Sequence, residues 1–132
     1  MSSKNMLDVF LELRDGSDAA ETASADEAGV ALDVRKAGNF NVVFDVSAAD
    51  FADLNETYTL VVDVDSLAAF TDSPVEVGSV SVTATGTYEV PLSADYIESL
   101  DANAAAIRVG VVIAGTTPSI NYSAYVVPAG HA

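Results

Sequence analysis

The sequence of 132 residues contains no cysteine, no tryptophan and a single histidine, His131. Without cysteine, disulfides, thiolate metal sites and Cys–His catalysis are excluded. The histidine is the penultimate residue, where a fraying terminus cannot hold a base within hydrogen-bond reach of a nucleophile. Ser–His catalysis and zinc sites fail for the same lack of groups. We therefore expect no enzyme activity and no cofactor.

Basic side chains are scarce. Lysine and arginine together number 5 against 20 aspartates and glutamates, which gives a formal net charge of −15. Arg108 is the one basic residue after position 36. Such a surface repels phosphate backbones and anionic lipid headgroups, so neither nucleic acid nor a membrane is an expected partner.

Long hydrophobic runs are also missing. Asp8 and Glu12 interrupt the apolar residues near the start, so neither a signal peptide nor a transmembrane segment is predicted. The protein is therefore expected to be made in a cytoplasm. Half of its residues are nonetheless hydrophobic, enough for the core of a single domain. We expect a flexible N-terminal arm over residues 1–6 and one β-sandwich domain over residues 7–132.

Apolar and polar residues alternate with a period of two along most of the chain, which is typical of strands with one buried face. The phase slips by one residue at Gly78-Ser79, which predicts a β-bulge, and Pro91 predicts an edge strand. Residues 18–28 are predicted to be an exposed loop. The alternation predicts about eight strands, at residues 7–13, 30–34, 40–46, 58–64, 75–84, 88–92, 107–113 and 120–126.

One short helix is predicted from Ser93 to Leu100, with Ser93 as its N-cap and with Ile97 and Leu100 as its apolar stripe. The predicted fold class is therefore all-β: an antiparallel two-sheet, jelly-roll-like β-sandwich of about eight strands with at most one short helix. The strand number is also compatible with an immunoglobulin-like sandwich.

Three carboxylates are candidates for a cation site. Asp63 and Asp65 project from the same face of one predicted strand, and Asp45 is placed on a strand that could neighbour it. Calcium binds six to eight oxygens, more than three side chains supply. We expect a solvated acidic face here, and a weak divalent-cation site among these residues is left as the alternative.

Four large side chains lie off the main apolar phase of their strands: Phe10, Val43, Val61 and Tyr125. A monomer would expose several of them, whereas a trimer could cover them. The pattern therefore favours a homotrimer, and Phe10 and Tyr125 are its candidate interface residues.

Three stretches together resemble the capsid decoration, or cement, proteins of tailed bacteriophages. They are residues 6–16 (MLDVFLELRDG), residues 56–64 (ETYTLVVDV) and residues 107–120 (IRVGVVIAGTTPSI), which NYSA follows. The resemblance implies a jelly-roll protein that binds as a trimer to the outer capsid surface of the virion. Its partner would be the major capsid protein, and the family has no catalytic residues. Lys4 and Met6 join Phe10 and Tyr125 as candidate capsid-contact or trimer-interface residues.

A second function remains open at this stage. A carbohydrate- or receptor-binding β-sandwich, such as a fibre or adhesin tip, fits the same strand pattern. The absence of tryptophan counts against it, because sugar-binding surfaces depend on exposed aromatic rings.

Overall fold

The computed structural model describes residues 11–128, which form nine strands and two short helices within that range. The arm predicted over residues 1–6 lies outside the described residues, as do Lys4, Met6 and Phe10. The strands are β1 (Leu11–Arg14), β2 (Ala25–Asp26), β3 (Val30–Ala31), β4 (Asn39–Ala49), β5 (Thr57–Asp65), β6 (Val75–Val82), β7 (Gly86–Ser93), β8 (Ala106–Ala114) and β9 (Ile120–Pro128).

The strands form two antiparallel sheets. The first has the order β1-β9-β4-β7, and the second has the order β2-β8-β5-β6, with β3 also paired to β8. When β2 and β3 are counted as one interrupted strand, the first strand pairs with the last, the second with the last but one, and so on inward. This nested pairing is the jelly-roll topology. The all-β, two-sheet prediction is confirmed.

The core lies between the two sheets and follows the predicted alternation. Val42 and Phe44 of β4 face Leu60 and Val62 of β5 across the sandwich, and none of the four is exposed. Burying a side chain of this size stabilises the fold by roughly 1.5–3 kcal/mol. The core therefore supplies the stability that the missing disulfides cannot.

The predicted irregularities of β6 and β7 are both present. Between β5 and β6 the pairing passes from Gly78 to Glu76, so that Val77 is an extra residue in β6. The bulge thus lies one position before the predicted Gly78-Ser79. Strand β7, which contains Pro91, is at the edge of its sheet. A proline is tolerated there because it has no N–H to donate to a further strand.

The helix α2 (Ala94–Leu100) confirms the predicted one. The Ser93 side chain accepts a hydrogen bond from the Tyr96 backbone N–H at 3.1 Å and so caps the first turn. Ile97 is fully buried, but Leu100 is 44% exposed. The assignment of Leu100 to the apolar stripe was therefore wrong, because this short helix packs Ile97 and, in part, Ala94 against the core.

A second helix, α1 (Val34–Ala37), was not predicted. The alternation of residues 30–34 indicated a strand, but pairing ends after Ala31. The Asp33 carboxylate accepts a hydrogen bond from the Lys36 N–H at 3.3 Å, which caps a single helical turn. Gly38 then ends the turn with a positive φ of 62°.

The connections between strands gather at two ends of the sandwich. Strand pairing places Ala49 opposite Ile120, Thr57 opposite Ala114, and Tyr58 opposite Val82. The segments that follow or precede these residues therefore lie at one end, which we call the loop end: residues 15–24, 50–56, 83–85 and 115–119. Helices α1 and α2 and residues 66–74 lie at the other end, the helical end.

Candidate functional surface

Of the four predicted contact residues, the structure describes Tyr125. It lies in the middle of β9 and is half-buried, and its hydroxyl donates a hydrogen bond to Asp45 Oδ2 at 3.3 Å. Burial raises the pKa of Tyr125, and the neighbouring Asp45 carboxylate raises it further. The ring is therefore partly covered by its own chain, and the role of Tyr125 as an exposed or interfacial ring stays a prediction.

The trimer argument from off-phase valines was wrong. Val43 and Val61 are each only 6% exposed in the single chain. Neighbouring strands and side chains of the same molecule cover them, so neither requires a second subunit. The alternation could not reveal this, because it records which face a residue occupies and not how that face is covered.

The three carboxylates considered for a cation site are not brought together. Asp45 belongs to the β4 sheet, whereas Asp63 and Asp65 belong to β5 in the other sheet. Asp63 accepts a hydrogen bond from Arg108 Nε at 3.3 Å. Burial raises the pKa of Asp63, and Arg108 opposes that rise. Within residues 11–128, no group of three or more acidic or histidine side chains is arranged to hold a metal ion.

Asp65 contradicts the expectation of a solvated acidic face. Its side chain is fully buried and accepts two backbone N–H groups, from Ser66 at 2.8 Å and from Asp72 at 3.0 Å. A buried carboxylate needs such donors, because desolvation without them is costly. Asp65 therefore fixes the start of the loop after β5 and is a structural residue.

A buried arginine is the main polar feature that sequence reasoning missed. The Arg14 side chain has no exposed surface and lies 3.2 Å from Glu27 and 3.4 Å from Glu21. Its guanidinium also donates to Asn121 Oδ1 at 2.8 Å, to the Ala19 carbonyl at 2.9 Å and to the Tyr122 carbonyl.

Arg14 holds the acidic segment after β1 against the sandwich. The segment predicted as an exposed loop, residues 18–28, instead contributes Glu21 to an isolated bridge with Ile120 and contains strand β2. A register shift between Glu12 and Arg14 turns Arg14 toward this segment. The one feature of the sequence that could have indicated this contact is the position of Arg14 directly before an acid-rich stretch.

The loop end carries the most exposed large apolar side chain among residues 11–128. Leu54 is 91% exposed and has a positive φ of 62°. Its backbone N–H donates to the Phe51 carbonyl at 3.0 Å, which closes the turn at the tip of the β4–β5 loop.

This loop is tied to the neighbouring β8–β9 loop by side chains. Asn55 and Thr116 are joined by two hydrogen bonds. The Asn55 side-chain amide donates to the Thr116 hydroxyl at 2.8 Å, and the Thr116 backbone N–H donates to Asn55 Oδ1 at 3.2 Å. The Tyr58 hydroxyl accepts from the Ser119 N–H at 2.9 Å and lies 2.6 Å from the Asp50 carbonyl, to which it donates. The two loops thus form one braced unit.

The loop end is strongly acidic. Its four segments contain no lysine or arginine. The nearest arginine, Arg14, is buried and already paired. The acidic residues of these segments are Asp15, Asp18, Glu21, Asp50, Asp53 and Glu56.

Two shallow grooves, of about 490 and 470 Å³, lie at the helical end. Both are lined by Ala31, Leu32 and Asp33. The first groove also reaches Glu98, and the second reaches Lys36 and Phe40. Neither groove lining combines a nucleophile with a base at catalytic spacing. The braced loop end is therefore the more distinctive surface.

Compared with known proteins, the chain matches no family model, no curated protein and no solved structure at a significant level. No helix within residues 11–128 is long and apolar enough to cross a membrane.

Proposed function

We propose that the protein is a structural virion protein that decorates the outside of a tailed-phage capsid and stabilises the shell by bridging major capsid subunits. The observation that carries the proposal is the jelly-roll strand order, found in a chain whose residues 6–16, 56–64 and 107–120 resemble decoration proteins. Jelly rolls recur in capsid proteins, and they recur in lectins as well. An argument from the fold alone is thus an analogy and fits either a capsid protein or a lectin. The sequence resemblance favours the capsid protein.

The proposed mechanism is mass action. A ligand that binds the assembled shell, and not its separate subunits, stabilises the shell by its binding free energy. Several weak contacts made by one particle add avidity when their geometry allows them to engage together. A rigid sandwich suits this role, because ordering a flexible binder on the shell would cost part of that free energy.

The test adds purified protein to undecorated heads of the phage that encodes it. Binding should saturate at a fixed copy number per shell, and decorated heads should survive heating that opens bare heads. An unrelated protein of similar size and net charge is the control. Heads that remain bare at saturating protein would contradict the proposal, and binding to host cells or a glycan array instead would support the adhesin alternative.

The homotrimer is a separate part of the proposal. Since Val43 and Val61 are covered within one chain, it is supported by the resemblance and not by exposed apolar surface. Light scattering after size exclusion should give about three times 13.6 kDa. A monomer at micromolar concentration would contradict the trimer, although a monomer could still decorate a shell.

A further inference from the structure

Leu54 combines two properties that do not stabilise the folded chain. Its φ of 62° lies in the left-handed region, where a branched side chain is disfavoured and glycine or asparagine is not. Its side chain is 91% exposed, so contacts within residues 11–128 do little to offset that strain. A glycine would suit the backbone better.

Phe70 provides a comparison within the same molecule. It also has a positive φ, of 54°, but it is only 8% exposed and its ring centroid lies 4.5 Å from the Arg108 guanidinium carbon. Packing therefore offsets the strain at Phe70. At Leu54 the offset is missing from the free protein. Strain of this kind persists where the surrounding structure fixes the backbone, and such residues cluster at ligand clamps and other functional sites.

The surrounding loop enforces the position of Leu54. The Asp53 N–H donates to the buried Glu56 carboxylate at 3.2 Å, and Asp53 accepts a hydrogen bond from the Thr117 hydroxyl. On the other side, the Phe51 ring packs edge-on against Tyr58 with centroids 5.3 Å apart. The leucine is thus presented on a rigid base, which reduces the entropy lost on binding.

The charge around Leu54 defines the partner. Of the six acidic residues of the loop end, Glu56 is buried and Glu21 is paired with Arg14. The remaining negative charge comes from Asp15, Asp18, Asp50 and Asp53, and the loop-end segments contain no lysine or arginine. A partner surface must supply an apolar pocket for the leucine and basic side chains around that pocket, because an acidic rim would be repelled.

We propose that Leu54 is the docking contact of this protein, and that it inserts into an apolar pocket rimmed by lysine or arginine on the outer surface of the major capsid protein. This inference rests on the proposed decoration function and assigns its contact surface to the loop end. The helical end, with α1 and α2, then faces away from the shell.

The test compares two substitutions at this site with one elsewhere. L54G removes the side chain and relieves the backbone strain, and L54A removes most of the side chain without relieving it. L100A is the matched control, since Leu100 is another exposed leucine, at the helical end. Binding to undecorated heads and the melting temperature are measured for each purified variant.

L54G should melt at or above the wild-type temperature and yet bind heads roughly ten- to a hundredfold more weakly, the loss expected when a leucine no longer fills a pocket. L54A should show the same loss of affinity, and L100A should bind as the wild type does. Wild-type affinity should fall as NaCl rises, because a basic rim is screened by salt.

Equal binding by wild type, L54G and L54A would overturn the docking contact while leaving the decoration function intact. Equal losses in L54G and L100A would also overturn it, because the effect would not be specific to the loop end. Failure of the wild type to bind heads would overturn the decoration function and the contact with it. If L54A does not fold, L54N takes its place, because asparagine tolerates a positive φ.

Discussion

At the scale of single residues, the protein is organised around a buried positive charge. The Arg14 guanidinium carbon lies 4.4 Å from the Tyr122 ring centroid, and the side chain bonds to two glutamates, an amide and two carbonyls. Such a group stabilises the fold only while its partners remain satisfied. It fastens the acid-rich segment after β1 to the last strand.

Replacement of Arg14 by methionine should destabilise the protein by roughly 3 kcal/mol, the low end of what loss of one partner of a buried ion pair costs. The low end applies because Glu21 and Glu27 keep 25% and 19% of their side-chain surface exposed. R14K should recover part of the loss, since lysine keeps the charge but not the fork of donors. Urea denaturation measures both.

The matched control is R35A. Arg35 also bonds a glutamate, Glu98 at 2.8 Å, but its side chain is 80% exposed. Its loss should change the free energy of unfolding far less than R14M does, because solvent screens an exposed ion pair. Equal effects of R14M and R35A would show that burial adds nothing to the Arg14 network.

Glu27 gives a pH dependence of defined sign. Burial raises the pKa of Glu27, and Arg14 counteracts the rise without cancelling it. Between the ordinary glutamate pKa, about 4.3, and the raised value, the folded chain holds more protons than the unfolded chain. The contribution of this group to the free energy of unfolding therefore falls as pH increases through that window.

The measurement compares wild type with E27Q, whose side chain does not titrate, so that other groups cancel. The free energy of unfolding of wild type minus that of E27Q should decrease as the pH rises above the ordinary glutamate pKa of about 4.3. An increase over the same range would mean that attraction to Arg14 outweighs desolvation and that the pKa of Glu27 is lowered.

At the scale of strands and helices, the sequence was informative wherever burial has a simple period. Strands β4, β5, β8 and β9 are long and have one face on the core, so alternation located them. The helix α1 was not predicted, because a single capped turn is too short to show an apolar period. The burial of Arg14 and Asp65 was not predicted either. It depends on partners elsewhere in the chain, which a local pattern does not record.

The close packing of β6 against β7 can be tested at Gly78. A Cβ atom at this position would lie 2.6 Å from Val90 Cγ1 on the facing strand. G78A should therefore destabilise the protein by about 1–3 kcal/mol through overpacking. In the double variant with V90A the clash is removed, so the two effects should be less than additive by about 1 kcal/mol or more.

Ser79 provides the control for this cycle, because it is the exposed neighbour of Gly78 in β6. S79A and V90A should be additive in urea denaturation to within about 0.5 kcal/mol. Additivity of G78A with V90A would contradict the predicted contact between the two strands.

At the scale of the whole molecule, the two-sheet architecture followed from the strand count, but the nested pairing did not, since it depends on which distant strands meet. The proposed contact surface was the least predictable feature. Of the residues singled out from the sequence, Tyr125 is packed against Asp45. Leu54 carried no periodic signal, and its exposure and backbone conformation emerged only from the folded loop.

The net charge of −15 predicts a dependence of stability on salt. The ion pairs within residues 11–128 involve five acidic residues, which leaves most carboxylates to repel one another. The melting temperature should therefore rise between about 10 and 500 mM NaCl, as the Debye length falls from about 30 Å to a few ångströms. A falling melting temperature would show that attractive pairs dominate.

The most direct test of the decoration function is a cryo-electron microscopy reconstruction of heads assembled without the protein and then incubated with it. The proposed function predicts added density on the outer surface at every symmetry-equivalent site of one kind, with the jelly roll resolved and its loop end directed at the shell. Heads that remain indistinguishable from those without the protein, after incubation with a large excess of it, would contradict the proposed function.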